Sequence, residues 1–416
     1  MALTESAGAP LGRLIAYPGF VRFLTARLAV SVAVQMQTVA VGWQIYAITH
    51  DPLDLGLIGL SQFLPFVLLV LPAGHVADRR HRARILSLCY ALEFVCAALL
   101  LAFTLSGLAV AWPVFAVMVL FGIARAFSMP AGQALLPNLV PPALFSRAVA
   151  VNSSTWQVST IVGPAIGGLV YLAGPEVVYA SVAGLTGAAV FLMLGVQGGR
   201  AAPSTEPDTW HTLLEGIRFV WRRKIILGAV SLDLFAVLFG GSVALLPAYA
   251  SDILHVGPDG FGWLRAAPGI GAAAIALALA WRPITQHAGV LMLAGVAIFG
   301  AATVVFGLSG NFLLSLAALV VLGGADMVSV YIRHLLVQLE TPDAIRGRVS
   351  AVNAVFIGAS NELGEFESGL TAAWWGLKPA VVVGGVASIA IAGLWMRWFP
   401  MLRRLDRFPE PALPPA

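Results

Sequence analysis

The amino-acid sequence predicts an all-α membrane protein in which about twelve transmembrane helices form two six-helix bundles. Three observations lead to this fold class: an apolar composition, alternating placement of basic residues, and a half-length internal repeat. Hydrophobic residues make up 59% of the 416 residues and charged residues only 11%, against about 25% charged residues in an ordinary soluble domain. A water-soluble fold cannot bury so much apolar surface, so the bilayer has to be the solvent.

The apolar runs divide into twelve segments, each near the roughly 20 residues that one crossing requires. In chain order, the predicted spans are 20–48, 54–77, 84–106, 111–134, 147–172, 177–196, 225–250, 259–281, 288–308, 312–336, 347–372 and 378–400.

Basic residues are concentrated in alternate loops, as a map of twelve spans requires. Eighteen of the 24 lysines and arginines fall in the N-terminus, the even-numbered loops or the C-terminal tail, one (Lys378) falls in an odd-numbered loop, and five arginines lie within or at the edge of spans. The positive-inside rule then places both termini in the cytoplasm, and we expect a multi-pass protein of the bacterial inner membrane. The formal charge of +4 reflects this topology, and no nucleic-acid binding is expected.

When the sequence is shifted by 201 residues and aligned with itself, identical glycines, prolines, arginines and asparagines of the two halves align. The matched pairs are Gly122 and Gly323, Pro141 and Pro342, Arg147 and Arg348, Asn152 and Asn353, Gly163 and Gly364, and Gly168 and Gly369. Such a repeat in a membrane protein is typical of two bundles around a substrate pathway. The sequence therefore predicts a transporter.

The repeat and the charge pattern divide the chain into an N-terminal bundle (1–196), a cytoplasmic linker (197–224), a C-terminal bundle (225–400) and a cytoplasmic tail (401–416). The linker ends in an amphipathic helix that is predicted to rest on the inner leaflet.

The loop between spans two and three contains Gly74, Asp78 and Arg79 in the pattern Gly-x-x-x-Asp-Arg, followed by further arginines. This pattern resembles the signature of the major facilitator superfamily, although His81 and Arg82 stand around the place of its usual second glycine. The resemblance implies the major facilitator fold. It also implies that the acid, here Asp78, links this loop to helix eleven and holds the outward-facing state, with Arg79 and Arg82 as partners. Gly74 would allow close helix packing. A positive-inside anchor explains the arginines but not Asp78.

Span five contains a second motif, made of Gly163, Pro164, Gly167 and Gly168. It resembles the antiporter motif of the superfamily, which is commonly found in exporters; ordinary packing of small residues is the alternative. Residues 124–154 and 213–223 further resemble the drug:H+ antiporter subgroup that contains enterobactin exporters and macrolide efflux pumps.

Ionisable residues at membrane depth cost roughly 2.5–3.5 kcal/mol each and are functional candidates. Arg125 in span four and Asp326 in span ten are equivalent in the repeat, and the resemblance implies that spans one, four, seven and ten line the central cavity. The two charges either pair across the cavity and part when a proton or substrate arrives, or form a static pair. Asp233, Gln35 and Gln37 are further cavity candidates, and one of the two glutamines is expected to face inward.

Span eleven carries Glu362 and Glu365, which share one helix face at i, i+3, whereas Glu367 points elsewhere. Two neighbouring carboxylates in a low dielectric cannot both ionise without a large cost in free energy. We therefore predict that Glu362 or Glu365 couples proton entry to substrate release. The alternative is that span eleven ends early and leaves both acids near its periplasmic mouth.

The predicted function is proton-coupled export of a small amphipathic organic compound, of siderophore or multidrug type, by alternating access. Proton-coupled uptake and a lipid flippase or sensor on the same fold remain alternatives. An enzyme is disfavoured because the sequence has no His-Glu-x-x-His, no Gly-x-Ser-x-Gly and no phosphate loop ending in Gly-Lys-Ser/Thr. The partners expected are the substrate, protons and lipid, with no metal or cofactor, and the chain is expected to act as a monomer.

Overall fold

The computed structural model describes residues 12–196, 217–342, 346–406 and 408. Within these residues the chain forms twelve long helices, which confirms the predicted all-α fold with about twelve transmembrane helices. They are α1 (Pro18–Thr49), α2 (Pro52–Arg79), α3 (Arg82–Leu105), α4 (Trp112–Leu135), α5 (Pro142–Tyr171), α6 (Pro175–Leu194), α7 (Lys224–Phe239), α8 (Pro258–Trp281), α9 (Ala288–Leu308), α10 (Phe312–Glu340), α11 (Arg346–Trp375) and α12 (Leu377–Trp398).

Ten of the twelve spans are long and apolar enough to cross a membrane by length and composition alone. The other two are α5 and α11, and both contain clusters of polar residues. The first half of α5 is rich in serine, threonine and asparagine, and α11 contains three glutamates. α5 carries the glycine motif that begins at Gly163, and α11 carries the acidic motif that begins at Glu362.

Span seven differs from its prediction because its helix is interrupted. α7 ends at Phe239 before Gly240 and Gly241, and the chain continues as a 3₁₀ turn (Ser242–Leu245), a short α-helical turn (Leu246–Ala248) and a π-helical turn (Tyr249–Ile253). A glycine pair weakens a helix, and a Cβ on Gly241 would lie 2.7 Å from the carbonyl carbon of Gly364 in α11. The interruption therefore allows the backbones of span seven and α11 to touch.

The chain folds into two compact units. Unit 1 contains Met1–Thr49, Ser61–Glu206 and Pro258–Gly262, and unit 2 contains His50–Leu60, Pro207–Gly257 and Trp263–Ala416. The first residues of α8 thus group with the N-terminal spans, and the first residues of α2 group with the C-terminal spans.

Unit 1 is centred on buried side chains of α1, α3, α4 and α6, including Phe20, Leu86, Leu135 and Met193. Buried hydrogen bonds connect three of these helices. The Tyr179 hydroxyl donates to Oε1 of Gln44 at 2.6 Å, and Nε2 of Gln44 donates to the Thr104 hydroxyl at 3.0 Å.

Unit 2 has its main core between α7, α9, α10 and α12, where Trp395 donates a hydrogen bond from Nε1 to the Gly228 carbonyl at 3.1 Å. A second core cluster forms around Ile226, Val337 and Val349, and Val220 of the linker packs into it. Residues 217–222 are helical, so this end of the predicted amphipathic helix packs against protein. The linker up to residue 216 lies outside the described part of the chain.

The 201-residue repeat is visible in the packing of α4 and α10. A Cβ on Gly122 of α4 would lie against the Gln62 carbonyl of α2, and a Cβ on Gly323 of α10 would lie against the Pro268 carbonyl of α8. Each repeated glycine therefore permits the same backbone contact inside its own unit.

Candidate functional site

The glycine motif of α5 lies directly against α1. A Cβ on Gly163 would lie 2.5 Å from Cβ of Gln35, and one on Gly167 would lie 2.9 Å from Cα of Met36. The equivalent glycine of α11, Gly364, faces the interrupted span seven, where an added Cβ would lie 3.0 Å from the Leu238 carbonyl oxygen. In both units these glycines allow two helix backbones to touch.

A second pair of repeated glycines contacts the starts of α8 and α2. In unit 1, a Cβ on Gly168 would lie 2.9 Å from Cα of Gly262, and the Pro164 carbonyl also faces Gly262. In unit 2, a Cβ on Gly369 would lie 2.9 Å from Cα of Gly56. In both places one glycine packs against another. Each contact joins two spans that belong to different halves of the repeat.

The acidic motif lies in the middle of a continuous helix. α11 extends to Trp375, ten residues beyond Glu365, which corresponds to about 15 Å along the axis. The helix therefore continues beyond both acids, and their depth in the membrane stays a prediction. Glu362 and Glu365 are both partly buried.

Glu365 has a cationic partner that the sequence analysis did not assign to it. Nη2 of Arg265 in α8 lies 3.9 Å from Oε1 of Glu365, and Nη1 of Arg265 donates a hydrogen bond to the Val243 carbonyl at 3.2 Å. Oε2 of Glu365 lies against Gly59 of α2, where an added Cβ would come within 2.9 Å of it. The sequence does not reveal this partner, because Arg265 and Glu365 are 100 residues apart.

Asp233 of α7 forms an ion pair with Arg333 of α10. The side chains are almost completely buried, with exposed fractions of 6% and 2% respectively. Breaking such a pair by removing one partner costs about 3–5 kcal/mol. Arg333 was not among the predicted site residues, although its position seven residues after Asp326 places it on the same side of α10.

Arg125 and Asp326 lie in different units, and their pairing stays a prediction. The guanidinium carbon of Arg125 lies 5.4 Å from the centre of the Phe66 ring, a cation–π distance. Asp326 is partly buried on α10. Of the two glutamines on α1, Gln37 is buried and Gln35 packs its Cβ against Gly163.

The motif between α2 and α3 is described only in part. The Asp78 side chain lies outside the described part of the chain, and Arg79 is exposed. Arg82 donates hydrogen bonds to the Ala77 carbonyl at 3.3 Å and the Ala134 carbonyl at 2.9 Å, so it binds carbonyl groups near the C-terminal ends of α2 and α4. No described atom lies within 4 Å of a Cβ added to Gly74, and the close packing expected there is not observed.

Among the described residues, no group of three or more histidine, cysteine, aspartate or glutamate side chains is arranged to hold a metal ion. In the arrangement around Arg265 and Glu365, the carboxylate faces a cation and retains an exposed fraction of 28%.

Comparison with known proteins relates this chain to transporters. A family model described as transmembrane secretion effector matches residues 6–412. The chain is 27% identical to the enterobactin exporter EntS of Escherichia coli O1:K1 / APEC over 351 residues, which is 82% of each chain. The same identity and coverage hold for EntS of Escherichia coli O139:H28 (strain E24377A / ETEC).

Solved structures of low sequence identity show the same fold. A bacterial homologue of the human lysosomal transporter Spinster, in an inward-facing and occupied conformation, superposes with a TM-score of 0.73 at 15% identity, covering 95% of this chain and 99% of the other. A D-xylose–proton symporter superposes with a TM-score of 0.72 at 13% identity, covering 93% and 99%. The predicted major facilitator fold is confirmed, and the apolar spans together with the exporter relatives make the chain a multi-pass inner-membrane protein and a secondary transporter. The chain belongs to the transmembrane secretion effector family of the major facilitator superfamily.

Proposed function

We propose that this transporter exports a small amphipathic organic compound, of siderophore or drug type, in exchange for protons by alternating access. The observation that carries the proposal is the carboxylate of Glu365, which lies in the middle of α11 and faces Arg265 across 3.9 Å. Export is supported by the relationship to enterobactin exporters and by the glycine motif of α5.

Glu365 is the proposed proton-coupling residue, with Glu362 as the second candidate. The 3.9 Å between Arg265 and Glu365 exceeds a direct hydrogen bond, so protonation of the carboxylate does not have to break a direct hydrogen bond to this guanidinium. Glu362 lies one helical turn away on the same face, and protonation of one acid lowers the cost of keeping the other ionised.

Asp233 is the third candidate for the coupling residue, after Glu365 and Glu362. Its carboxylate is paired with Arg333 and nearly closed to water, so a proton reaches it only after α7 and α10 separate locally. Asp326 and Arg125 are proposed to bind the substrate or to pair across the cavity, and the amides of Gln35 and Gln37 are proposed to contribute polar contacts there.

The conformational change is proposed to use the glycine contacts described above. Gly168 with Gly262, and Gly56 with Gly369, bring together spans from different halves of the repeat, so these contacts have to separate when access alternates. Asp78, Arg79 and Arg82 are proposed to stabilise the outward-facing state, as the signature they resemble implies.

The test is substrate-evoked proton movement in proteoliposomes that contain a lumenal pH dye. The panel consists of catecholate siderophores, macrolides and cationic dyes, and wild type is compared with Glu365→Gln. A proton signal with one class, lost in the variant, would support antiport and identify the class of substrate.

Two outcomes would contradict the proposal. Tracer flux without any proton signal would mean uncoupled transport or lipid flipping. Inward accumulation of the substrate in intact cells, driven by the proton gradient, would mean uptake by symport.

A further inference from the structure

The interruption of span seven exposes backbone groups that a continuous helix would use. The Val243 carbonyl lies in the 3₁₀ turn after Gly241, and Nη1 of Arg265 donates to it at 3.2 Å. The hydroxyl of neighbouring Ser242 is buried and has no hydrogen-bond partner among the described residues. Irregular backbone at membrane depth needs such partners because lipid supplies none. Arg265 is therefore part of what stabilises the interruption.

The same guanidinium is the cation that faces Glu365. One of its nitrogens donates to Val243, and the other lies 3.9 Å from the carboxylate. A planar guanidinium can contact the carbonyl and the carboxylate at the same time, because its N–H groups point in fixed, different directions.

Span seven and α11 touch at the residue next to Glu365. A Cβ on Gly241 would lie 2.7 Å from the backbone of Gly364 and 3.1 Å from the Ser368 hydroxyl. On the other side of α11, Gly59 leaves room for the Glu365 carboxylate. Glu365 is thus held between Gly59 of α2, Arg265 of α8 and the interrupted span, and these residues all belong to unit 2.

We propose that Arg265 is the positioning residue through which the charge of Glu365 controls the interrupted backbone of span seven. This inference rests on the proposed function, because it takes Glu365 as the coupling carboxylate. When Glu365 is ionised, Arg265 is shared between the carboxylate and the Val243 carbonyl. When Glu365 binds a proton, the ion pair is lost, and the still-charged guanidinium keeps its hydrogen bond to the Val243 carbonyl.

The consequence is a change in how span seven packs on α11. The proton is bound by the carboxylate, Arg265 keeps its charge throughout, and no covalent bond other than the O–H bond is formed. The groups that face Glu365 include Arg265 from α8 and Glu362 from its own helix. Gly59 of α2 adds an uncharged neighbour of Glu365. Loss of the ion pair removes the charge that draws α8 towards α11 and leaves the interruption free to rearrange.

The experiment measures the backbone of span seven directly. Ser242→Cys is introduced into a Cys89→Ser/Cys96→Ser background, and its labelling by a membrane-permeant maleimide is followed in proteoliposomes between pH 5.5 and pH 8.5. Ser315→Cys, a fully buried position on α10, is the matched control. We expect the labelling rate at residue 242 to change at least about fivefold with pH and the rate at residue 315 to stay constant.

Arg265→Gln and Arg265→Lys then test the role of the guanidinium. Arg265→Gln is expected to abolish the pH dependence of labelling at residue 242 and to lower proton release per substrate at least tenfold. Substrate counterflow, which needs no net proton movement, is measured in parallel to check whether Arg265→Gln still binds and moves substrate. Arg265→Lys keeps the positive charge but lacks the planar guanidinium that makes both contacts. Its proton release should therefore lie between those of wild type and Arg265→Gln.

The outcomes separate this inference from the proposed function. If Glu365→Gln keeps full proton release, Glu365 is not the coupling residue and the proposed site is wrong. If Glu365→Gln loses proton release but Arg265→Gln keeps both proton release and pH-dependent labelling, the positioning role of Arg265 is wrong. pH-independent labelling of wild type at residue 242 would also overturn the inference.

Discussion

α5 of unit 1 and α11 of unit 2 are equivalent in the repeat, yet they keep different properties. Gly163 and Gly364 make matching backbone contacts with the first span of their own half. The residues that follow differ, because Pro164 of α5 corresponds to Glu365 of α11. The repeat thus preserves helix packing at these glycines, whereas Glu365 has no acidic counterpart in unit 1.

Three other charges of unit 2 also lack a charged counterpart in unit 1, whereas Asp326 corresponds to Arg125. Asp233 and Arg333 form a buried ion pair, and the residues at the equivalent places in unit 1 are Val32 and Gly132. Arg265 corresponds to Leu64. Two bundles that pack alike can move together, but proton coupling needs a site whose charge changes, and a single such site is sufficient.

The largest effect is expected from breaking the buried pair of unit 2. Asp233→Asn leaves Arg333 charged, buried and without its carboxylate, so it should lower the free energy of unfolding by about 3–5 kcal/mol. Asp233→Asn/Arg333→Met should recover at least half of that loss. The measurement is reversible unfolding in detergent, and a single-variant loss below about 1 kcal/mol would show that the pair does not hold α7 to α10.

A smaller and symmetric effect is expected at the shared glycines. Gly163→Ala and Gly364→Ala each force the neighbouring helix to shift, because the added Cβ would meet Gln35 or the backbone of Leu238. Each should cost about 1–3 kcal/mol.

Gly184→Ala and Gly393→Ala are the matched controls, since no described atom lies within 4 Å of the added Cβ. The melting temperatures of all four variants in detergent provide the comparison. A large effect in one unit and none in the other would contradict the equivalence of the two contacts.

The smallest effect is expected from one buried hydroxyl in each unit. The Tyr179 hydroxyl donates to Gln44 in unit 1, and the Tyr249 hydroxyl donates to the Gly307 carbonyl in unit 2 at 2.9 Å. Tyr179→Phe and Tyr249→Phe should each cost about 1 kcal/mol, the net value of a typical hydrogen bond. Equal shifts in thermal stability would agree with this account, whereas a loss of transport by Tyr249→Phe alone would assign a functional role to the π-helical turn.

The helices could be predicted from the sequence more fully than the site. Each predicted span lies close to an observed helix because about 20 apolar residues have few alternatives to a transmembrane helix. The interruption of span seven was missed, although Gly240 and Gly241 are visible in the sequence. Glycine is frequent in transmembrane helices, so a glycine pair does not by itself predict a break.

The ion pairs could not be predicted because they depend on tertiary contacts. Arg333 lies near the end of α10, where a long basic side chain is commonly explained by snorkelling to the interface, and its partner Asp233 is 100 residues earlier. Glu365 was predicted from the spacing of acids on one helix. Its partner Arg265 becomes evident only after α8 and α11 are packed together.

Proton release per transported substrate, measured for wild type, Glu365→Gln and Glu367→Gln, tests the central claim most directly. Glu367 is a matched control because it is the same residue type on the same helix, two positions further along. This account predicts that Glu365→Gln loses proton release while substrate counterflow continues, and that Glu367→Gln behaves like wild type. Unchanged proton release in Glu365→Gln, or equal losses in the two variants, would contradict the assignment of coupling to Glu365.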